Sequence, residues 1–178
     1  MRLGAAHVGF STKADVQVTG TLVPGADTSA SSNTTLGLEL SYDITQQWTG
    51  RFLIGVPPTT TLTGAGALNG TGTLGRVKYG PAVLSATYSL LTSGPVRPYI
   101  GARINYTMVF KSEDGFITNL DVKNAFGAMA QIGADMPLDG GWSIGLDARN
   151  LPAMGGAAAQ ADVRLDPLVV FASIGKRF

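Results

Sequence analysis

A set of charged residues recurs on the same face of alternating segments and could form one ion-pair network. Its members are Glu39, Asp43, Arg51, Arg103, Asp135, Asp147, Arg149 and Arg177, and Arg2 is a further candidate. Acids and arginines are nearly balanced. If a narrow interior collects them, each charge must be paired and hydrogen-bonded, because an isolated buried charge costs several kcal/mol. We therefore expect a structural charge plug; the alternative use of such charges is a path for ions.

Catalytic, redox and metal-binding chemistry has few candidates in this sequence. There is no cysteine and a single histidine, His7, so disulfides and thiolate metal sites are excluded. The spacing offers no carboxylate–His–Ser arrangement, and we expect no enzymatic activity, no cofactor and no metal site. The net charge is +1 without a basic cluster, so nucleic acid is not an expected partner.

The elements that position the charges are β-strands. Residues 36–44, LGLELSYDI, alternate large apolar side chains with small or polar ones, which is the signature of a strand. The same alternation recurs in residues 48–56, 82–90, 99–108, 126–136, 142–149 and 168–178, and a fainter first strand covers 1–10. The pattern predicts eight strands in a single domain spanning residues 1–178, and no apolar run is long enough for a membrane helix.

The connections alternate in length. Short turns lie near residues 44–47, 92–96 and 137–141, and long Gly/Ser/Thr-rich connections cover 11–33, 57–74, 111–124 and 152–162. This order predicts an antiparallel up-and-down meander with both termini on the side of the short turns. Long structureless loops are uncommon in a compact soluble domain. They are typical of one side of a transmembrane β-barrel.

The bulk of the apolar face decides which side of the sheet is outside. An eight-stranded barrel has an interior just wide enough for side chains. The large apolar set cannot fit there, whereas the glycines of the opposite face can. Aromatic residues also gather at both ends of the apolar face, as at the two interfaces of a bilayer: Tyr42, Trp48, Tyr88, Trp142 and Phe178 at one end, Tyr106, Phe110 and Phe126 at the other. The competing interpretation is a lipocalin-like soluble barrel, whose exterior would be unusually rich in Gly, Ser and Thr.

The inward residues of the half away from the short turns are apolar. They are Leu53, Val83, Met129, Val169 and Phe171. We interpret them as a hydrophobic channel above the charges, with ordinary interior packing as the alternative.

Pro81 marks a disturbance in its strand, because Val77 and Tyr79 do not continue the apolar phase of the residues that follow. Proline cannot donate a ladder hydrogen bond, so a bulge or a break in pairing is expected there. A break would create a lateral opening in the wall, and the alternative is a strand bend. Pro57 and Pro58, and also Pro167, are expected to end pairing near the rim.

Several stretches resemble the OmpW family of outer-membrane proteins, which includes the AlkL-type alkane-uptake proteins and OprG. The residues that carry the resemblance are TLGRVKYGPAVLSATY (73–88), RPYIGARINYT (97–107), the DGGW turn (139–142), LDARN (146–150) and the segment 163–178. Lys176 departs from the apolar residue usual near the terminal Phe178. The resemblance implies an eight-stranded barrel in the outer membrane of a Gram-negative bacterium, with periplasmic termini and extracellular loops.

For function, the resemblance implies passive passage of small hydrophobic molecules. They would enter from outside and leave sideways through a gap in the wall. The expected partners are the lipid and lipopolysaccharide bilayer and a small hydrophobic substrate, and we expect a monomer. Two alternatives stay open: a structural or surface-interaction barrel of the OmpX sort, and a narrow channel for small polar solutes that would pass Arg51 and Arg103.

Overall fold

The alternating sequence forms strands along almost the whole chain. The computed structural model describes residues 1–18, 21–22, 26–67, 69–116, 124–150 and 161–178. The strands are β1 (Arg2–Val18), β2 (Thr21–Leu22), β3 (Ala26–Ala30), β4 (Asn33–Asp43), β5 (Trp48–Gly55), β6 (Thr59–Gly66), β7 (Thr73–Ser89), β8 (Arg97–Asp114), β9 (Ala125–Pro137), β10 (Trp142–Asn150) and β11 (Ala161–Lys176). In the described part of the chain, no helix is long and apolar enough to cross a membrane.

The strands close into an eight-stranded antiparallel barrel, as predicted. Strand β1 pairs with β11 on one side and with β4 on the other, which joins the two ends of the chain. Strands β3 and β4 together form one interrupted wall strand, and β5 and β6 together form the next, because β5 and β6 both pair with β7. Strands β7 to β11 each pair with the next strand in the chain, and the connections from β7 to β8 and from β9 to β10 are short.

The predicted long connections 11–33 and 57–74 proved to be largely sheet. The described part of 111–124 is strand only as far as Asp114, and most of 152–162 lies outside the described residues. Strand β1 continues to Val18, β8 continues to Asp114, and pairing of β11 with β1 runs past Pro167 rather than ending there. Pro57 and Pro58 interrupt a wall strand that resumes at Thr59. The boundaries were wrong because the apolar alternation identifies a strand only where one face meets lipid. Beyond the hydrocarbon, the outer face carries polar residues and the signal disappears.

The apolar face is the outer face, as predicted. Leu36, Leu40 and Phe52 are exposed, as are most large outward side chains. Tyr42 and Trp142 lie outward near the short turns, and the second aromatic group lies outward near the other end of the barrel. Lys176 extends to the aromatic residues near the short turns. Its Nζ donates to the Gly140 carbonyl at 2.6 Å and lies 4.9 Å from the centre of the Trp142 ring. The cation therefore reaches the interface.

The interior leaves no room for side chains at several inward glycines. A Cβ atom on Gly133 would lie 2.5 Å from the Tyr99 hydroxyl and 2.6 Å from Asp147 Cβ. We expect Gly133→Ala to lower the free energy of unfolding by about 1–3 kcal/mol through overpacking. Urea unfolding in lipid vesicles measures this. The matched control is Gly50→Ala on the outer face, where the added Cβ meets Ile44 Cδ1 at an ordinary 3.6 Å. Equal stability of the two variants would contradict the prediction.

Candidate functional site

Glu39 is the centre of a buried group of charges inside the barrel. Its Oε1 lies 3.2 Å from Arg51 Nη1 and 3.7 Å from Arg2 Nη1, and its Oε2 lies 3.5 Å from Arg149 Nη2. The side chains of Glu39, Arg51 and Arg149 are each only 2% exposed. One carboxylate on β4 thus joins arginines from three other strands across the lumen.

Two further carboxylates complete this group. Asp135 Oδ2 accepts from Arg2 Nη2 at 2.6 Å and from Arg51 Nη2 at 3.2 Å. Asp147 Oδ2 accepts from Arg149 Nη2 at 2.8 Å. We call Arg2, Glu39, Arg51, Asp135, Asp147 and Arg149 the charge cluster. Every member of the cluster has an oppositely charged partner, which offsets part of the cost of burial. Among the described residues, Arg2 Nη1 and Asp135 Oδ1 have no hydrogen-bond partner.

The other members of the predicted plug have different environments. Asp43 and Arg177 pair with each other at 3.5 Å, but their side chains are 51% and 76% exposed, so they lie at the rim near the short turns. Their parity was inward, yet the strand ends carry them out of the enclosed lumen. Arg103 is buried, but its Nε and Nη1 have no hydrogen-bond partner among the described residues. Its burial is as predicted, but it is not among the arginines that pair with Glu39.

Two uncharged partners of the charge cluster were missed. The Tyr99 hydroxyl donates to Asp147 Oδ2 at 3.1 Å, and the Arg51 guanidinium stacks 4.4 Å from the centre of the Tyr99 ring. Thr87 is fully buried and its Oγ1 accepts from Arg51 Nε at 3.1 Å. The available signal was the place of Tyr99 on the polar face of its strand, where an aromatic ring has no lipid to meet.

An apolar layer lies against the charge cluster. We call its buried members, Ala6, Leu53, Val83 and Phe171, the apolar floor; Val169 packs against it. Phe171 is fully buried, and the Arg149 guanidinium lies 4.6 Å from the centre of its ring. Met129 is buried but lies outside this group. The predicted apolar residues are thus inside the barrel, and Phe171 and its neighbours lie packed together.

Glycines on the neighbouring strands make space for Phe171. A Cβ atom on Gly37 would lie 3.3 Å from Phe171 Cε2, and one on Gly4 would lie 2.7 Å from Phe171 Cζ. The ring therefore extends across β1 toward β4, which is possible only because both positions lack a side chain.

The wall is interrupted beside the apolar floor. Ladder pairing of β7 with β5 ends at Ile54 and Ala82, and pairing of β7 with β6 resumes at Thr59 and Lys78. We call residues 56–58, facing Gly80 and Pro81, the wall gap. Pro57, Pro58 and Pro81 all lack an N–H group, so none of them donates a ladder bond here. The Pro58 carbonyl still accepts from the Tyr79 N–H at 3.1 Å, which marks one edge of the interruption. The floor residues Leu53 and Val83 pair directly beside the last ladder pair before the gap.

The wall gap has a cover on its lipid side. A Cβ atom on Gly80 would lie 3.0 Å from Phe110 Cε2 and 3.3 Å from Pro57 Cγ, so these two side chains close over the glycine. Phe110 is the extra residue of a β-bulge, because Lys78 pairs with Lys111 while Tyr79 pairs with Val109. The bulge expected near Pro81 is thus on the partner strand.

No slip of phase occurs in β7 between Val77 and Val83; the register of β7 against β6 shifts only farther along, at Leu74, opposite Leu62 and Thr63. Val77 is buried and Lys78 is exposed, so Val77 keeps the inward parity of Val83. At Arg76 and Lys78 the outward residues are polar, whereas the inward Val77 is apolar. The apolar residues therefore change face without a change in the parity of the strand. Leu74 and Val77 are buried on the side of the gap away from the charges.

In the described part of the chain, no group of acidic and histidine residues is placed to hold a metal ion. Beside the charge cluster the site is apolar, and the packed apolar floor lies next to the wall gap.

Comparison with known proteins identifies close relatives. The sequence model of the OmpW family matches residues 1–178. The dibenzothiophene metabolism operon protein PahQ of Pseudomonas aeruginosa is 40% identical over 99% of this chain and 87% of its own length. Outer membrane protein AlkL of Ectopseudomonas oleovorans is 26% identical over 88% of this chain and 71% of its own length. The crystal structure of OprG from Pseudomonas aeruginosa superposes with a TM-score of 0.85 at 21% identity, covering 99% of this chain and 93% of that chain.

Proposed function

Because this chain belongs to the OmpW family, whose relatives include outer-membrane proteins, we propose that it is a passive outer-membrane channel for small hydrophobic molecules. The solute enters at the end of the barrel with the extended strands. It leaves sideways through the wall gap into the bilayer. The protein acts without catalysis or a cofactor, as a monomer.

The observation that carries this proposal is the position of the wall gap directly beside the apolar floor. A molecule that reaches Phe171 finds the charge cluster beneath the ring, where the ionic groups are paired and buried. Entering that region would separate ion pairs in a low-dielectric environment, at a cost of several kcal/mol. At the same level, the wall offers a place where three prolines replace hydrogen-bond donors. The sideways route is the less costly one.

The orientation follows from the lengths of the connections. Outer-membrane barrels have short periplasmic turns and long extracellular loops. We therefore place both termini and the turns near residues 44–47, 92–96 and 138–141 at the periplasm. The extended ends of β1, β7 and β8 then stand at the extracellular side. In this orientation the solute bypasses the polar surface of the outer leaflet.

Aromatic hydrocarbons and their sulfur analogues are the solute class we favour. PahQ, the relative at 40% identity, is named for a dibenzothiophene metabolism operon. A fused aromatic molecule suits an apolar surface such as that of Phe171, Val83 and Leu53, because dispersion contacts and burial of apolar area supply its binding energy without polar partners.

Uptake of radiolabelled naphthalene by cells with and without the protein tests the proposal. We expect faster uptake with the protein, and slower uptake when Pro81→Ala restores one backbone donor at the wall gap. Pro95→Ala, in a short turn, is the matched control and should have no effect. Equal uptake by cells that lack the protein would remove the transport function. An effect of the protein without any effect of Pro81→Ala would remove only the lateral exit.

A further inference from the structure

Two lysines face each other on the outer surface of the barrel. Lys78 on β7 and Lys111 on β8 are direct ladder partners, and the next pair on this face is Arg76 with Glu113. Arg76 and Lys78 are exposed, and the Lys111 side chain is 66% exposed. Like charges directly opposite each other on a sheet destabilise it. This arrangement therefore needs an anion to offset the repulsion.

Glu113 meets only part of this need. Lys111 Nζ lies 2.7 Å from Glu113 Oε1, and this hydrogen bond lowers the pKa of the carboxyl. Three cations and one carboxylate leave a local excess of two positive charges, in a chain whose whole net charge is only +1. Lys78 and Arg76 have ladder partners on β6, Thr59 and Thr61, that are uncharged. The hydroxyls of these threonines add hydrogen-bonding groups beside the cations.

The position of these residues along the barrel axis determines which surroundings could supply the anion. Along β8, the outward residues from Ile100 to Phe110 carry no charge, and Lys111 is the first charged residue beyond them. Along β7, Lys78 likewise follows the apolar band that ends at Gly80. Both lysines stand just beyond Tyr106 and Phe110, which are exposed on the lipid face. This is the level of lipid headgroups, next to an aromatic girdle.

We propose that this surface, formed by Thr59, Thr61, Arg76, Lys78 and Lys111, binds the phosphate groups of lipopolysaccharide. A phosphate monoester carries close to two negative charges and accepts several charge-assisted hydrogen bonds, which matches the excess charge here. Arginine adds a planar donor fork for phosphate oxygens, and lysines add point charges. The choice of lipopolysaccharide rests on the orientation given under the proposed function, which places this face in the outer leaflet.

The site stands beside the wall gap, since Lys78 is the residue at which pairing with β6 resumes. Its neighbour Phe110, on the same bulge, covers Gly80. A phosphate bound by Lys78 and Thr59 would contact both β7 and β6 at the first ladder pair beyond the interruption. Lipopolysaccharide would then be a structural ligand of the wall beside the gap.

Native mass spectrometry of the purified barrel in detergent tests this. The probes are diphosphoryl lipid A, monophosphoryl lipid A and phosphatidylglycerol. We expect diphosphoryl lipid A to bind most tightly. The variant Lys78→Gln/Lys111→Gln should bind it about tenfold more weakly, as expected when charged hydrogen bonds are lost. The matched control Lys176→Gln/Arg177→Gln removes two positive charges at the opposite end and should bind like the unchanged protein.

Three results would overturn the proposal: equal weakening in both double variants, no weakening in either, or phosphatidylglycerol binding as tightly with the same dependence on the two lysines. If the double variant does not fold, Lys78→Gln alone replaces it, with Lys176→Gln as its control. Binding in detergent needs neither orientation nor uptake. The lipid site can therefore fail while the proposed channel stands, and the reverse.

Discussion

Replacing Glu39 with glutamine is expected to lower the free energy of unfolding by about 3–5 kcal/mol, the typical effect of removing one partner from a buried ion pair. Glu39 faces Arg2, Arg51 and Arg149 from positions within 4 Å, and its side chain is 2% exposed. Glutamine keeps the size of the side chain and loses the charge. The arginines then share only Asp135 and Asp147. Urea unfolding in lipid vesicles, followed by the electrophoretic mobility of folded barrel, measures the loss.

Asp43→Asn is the matched control for this prediction. It lies on the same strand and makes the same change from carboxylate to amide. Its partner Arg177 is 76% exposed, so solvent screens the pair and the expected loss is below about 1 kcal/mol. Similar losses for both variants would show that the charge cluster does not stabilise the fold.

Arg103→Met should leave the free energy of unfolding unchanged or raise it, because it removes a buried cation whose Nε and Nη1 have no hydrogen-bond partner among the described residues.

Closing the wall gap with a disulfide should abolish uptake. A Cβ atom on Gly80 would lie 3.6 Å from Pro57 Cβ, within the range of about 3.5–4.5 Å found in disulfides. The chain has no cysteine, so Pro57→Cys/Gly80→Cys creates a single possible bridge. Phe110 must rotate slightly to admit the new atom. We expect naphthalene uptake to fall to the level of cells without the protein when the pair is oxidised, and to return on reduction.

The oxidised and reduced forms of one variant control for the substitutions themselves. A second pair, Ala86→Cys/Ala102→Cys, joins two direct ladder partners away from the gap. Oxidation of that pair should leave uptake unchanged. If the oxidised gap variant carries naphthalene as fast as the reduced one, the solute does not leave through the wall gap. Uptake would then need another exit.

The fold was predictable where lipid imposes a pattern on the sequence. The alternation in LGLELSYDI predicted a strand, because every second residue must be apolar within the hydrocarbon. Together with the aromatic girdles, it also predicted which face is outside. The extensions of β1 and β8 lack that constraint, so Gly/Ser/Thr-rich segments looked like loops. Parity placed Glu39 and Arg51 inside correctly, but it could not tell that Asp43 lies at the rim. That distinction depends on where the strand leaves the enclosed lumen.

The partners within the site were less predictable than its members. The positions along the sequence do not show whether Glu39 pairs with Arg149 or with Arg103. The register and shear of the barrel decide which inward side chains meet. The wall gap was partly predictable from Pro81. The opposite side of the gap was not predictable, because the sequence predicts that Pro57 and Pro58 end a strand. The pairing that resumes at Thr59 makes them an interruption within the wall.

The apolar floor bears on what would drive the proposed transport. If the solute leaves through the wall gap rather than past Phe171 and the charge cluster, the phase that receives it is the membrane and not the periplasm. Flux would then follow the difference between the concentration in water outside and the concentration in the outer leaflet, weighted by the partition coefficient of the solute. The barrel would work as a device for phase transfer. The flux that the protein adds would be larger for solutes with larger oil–water partition coefficients.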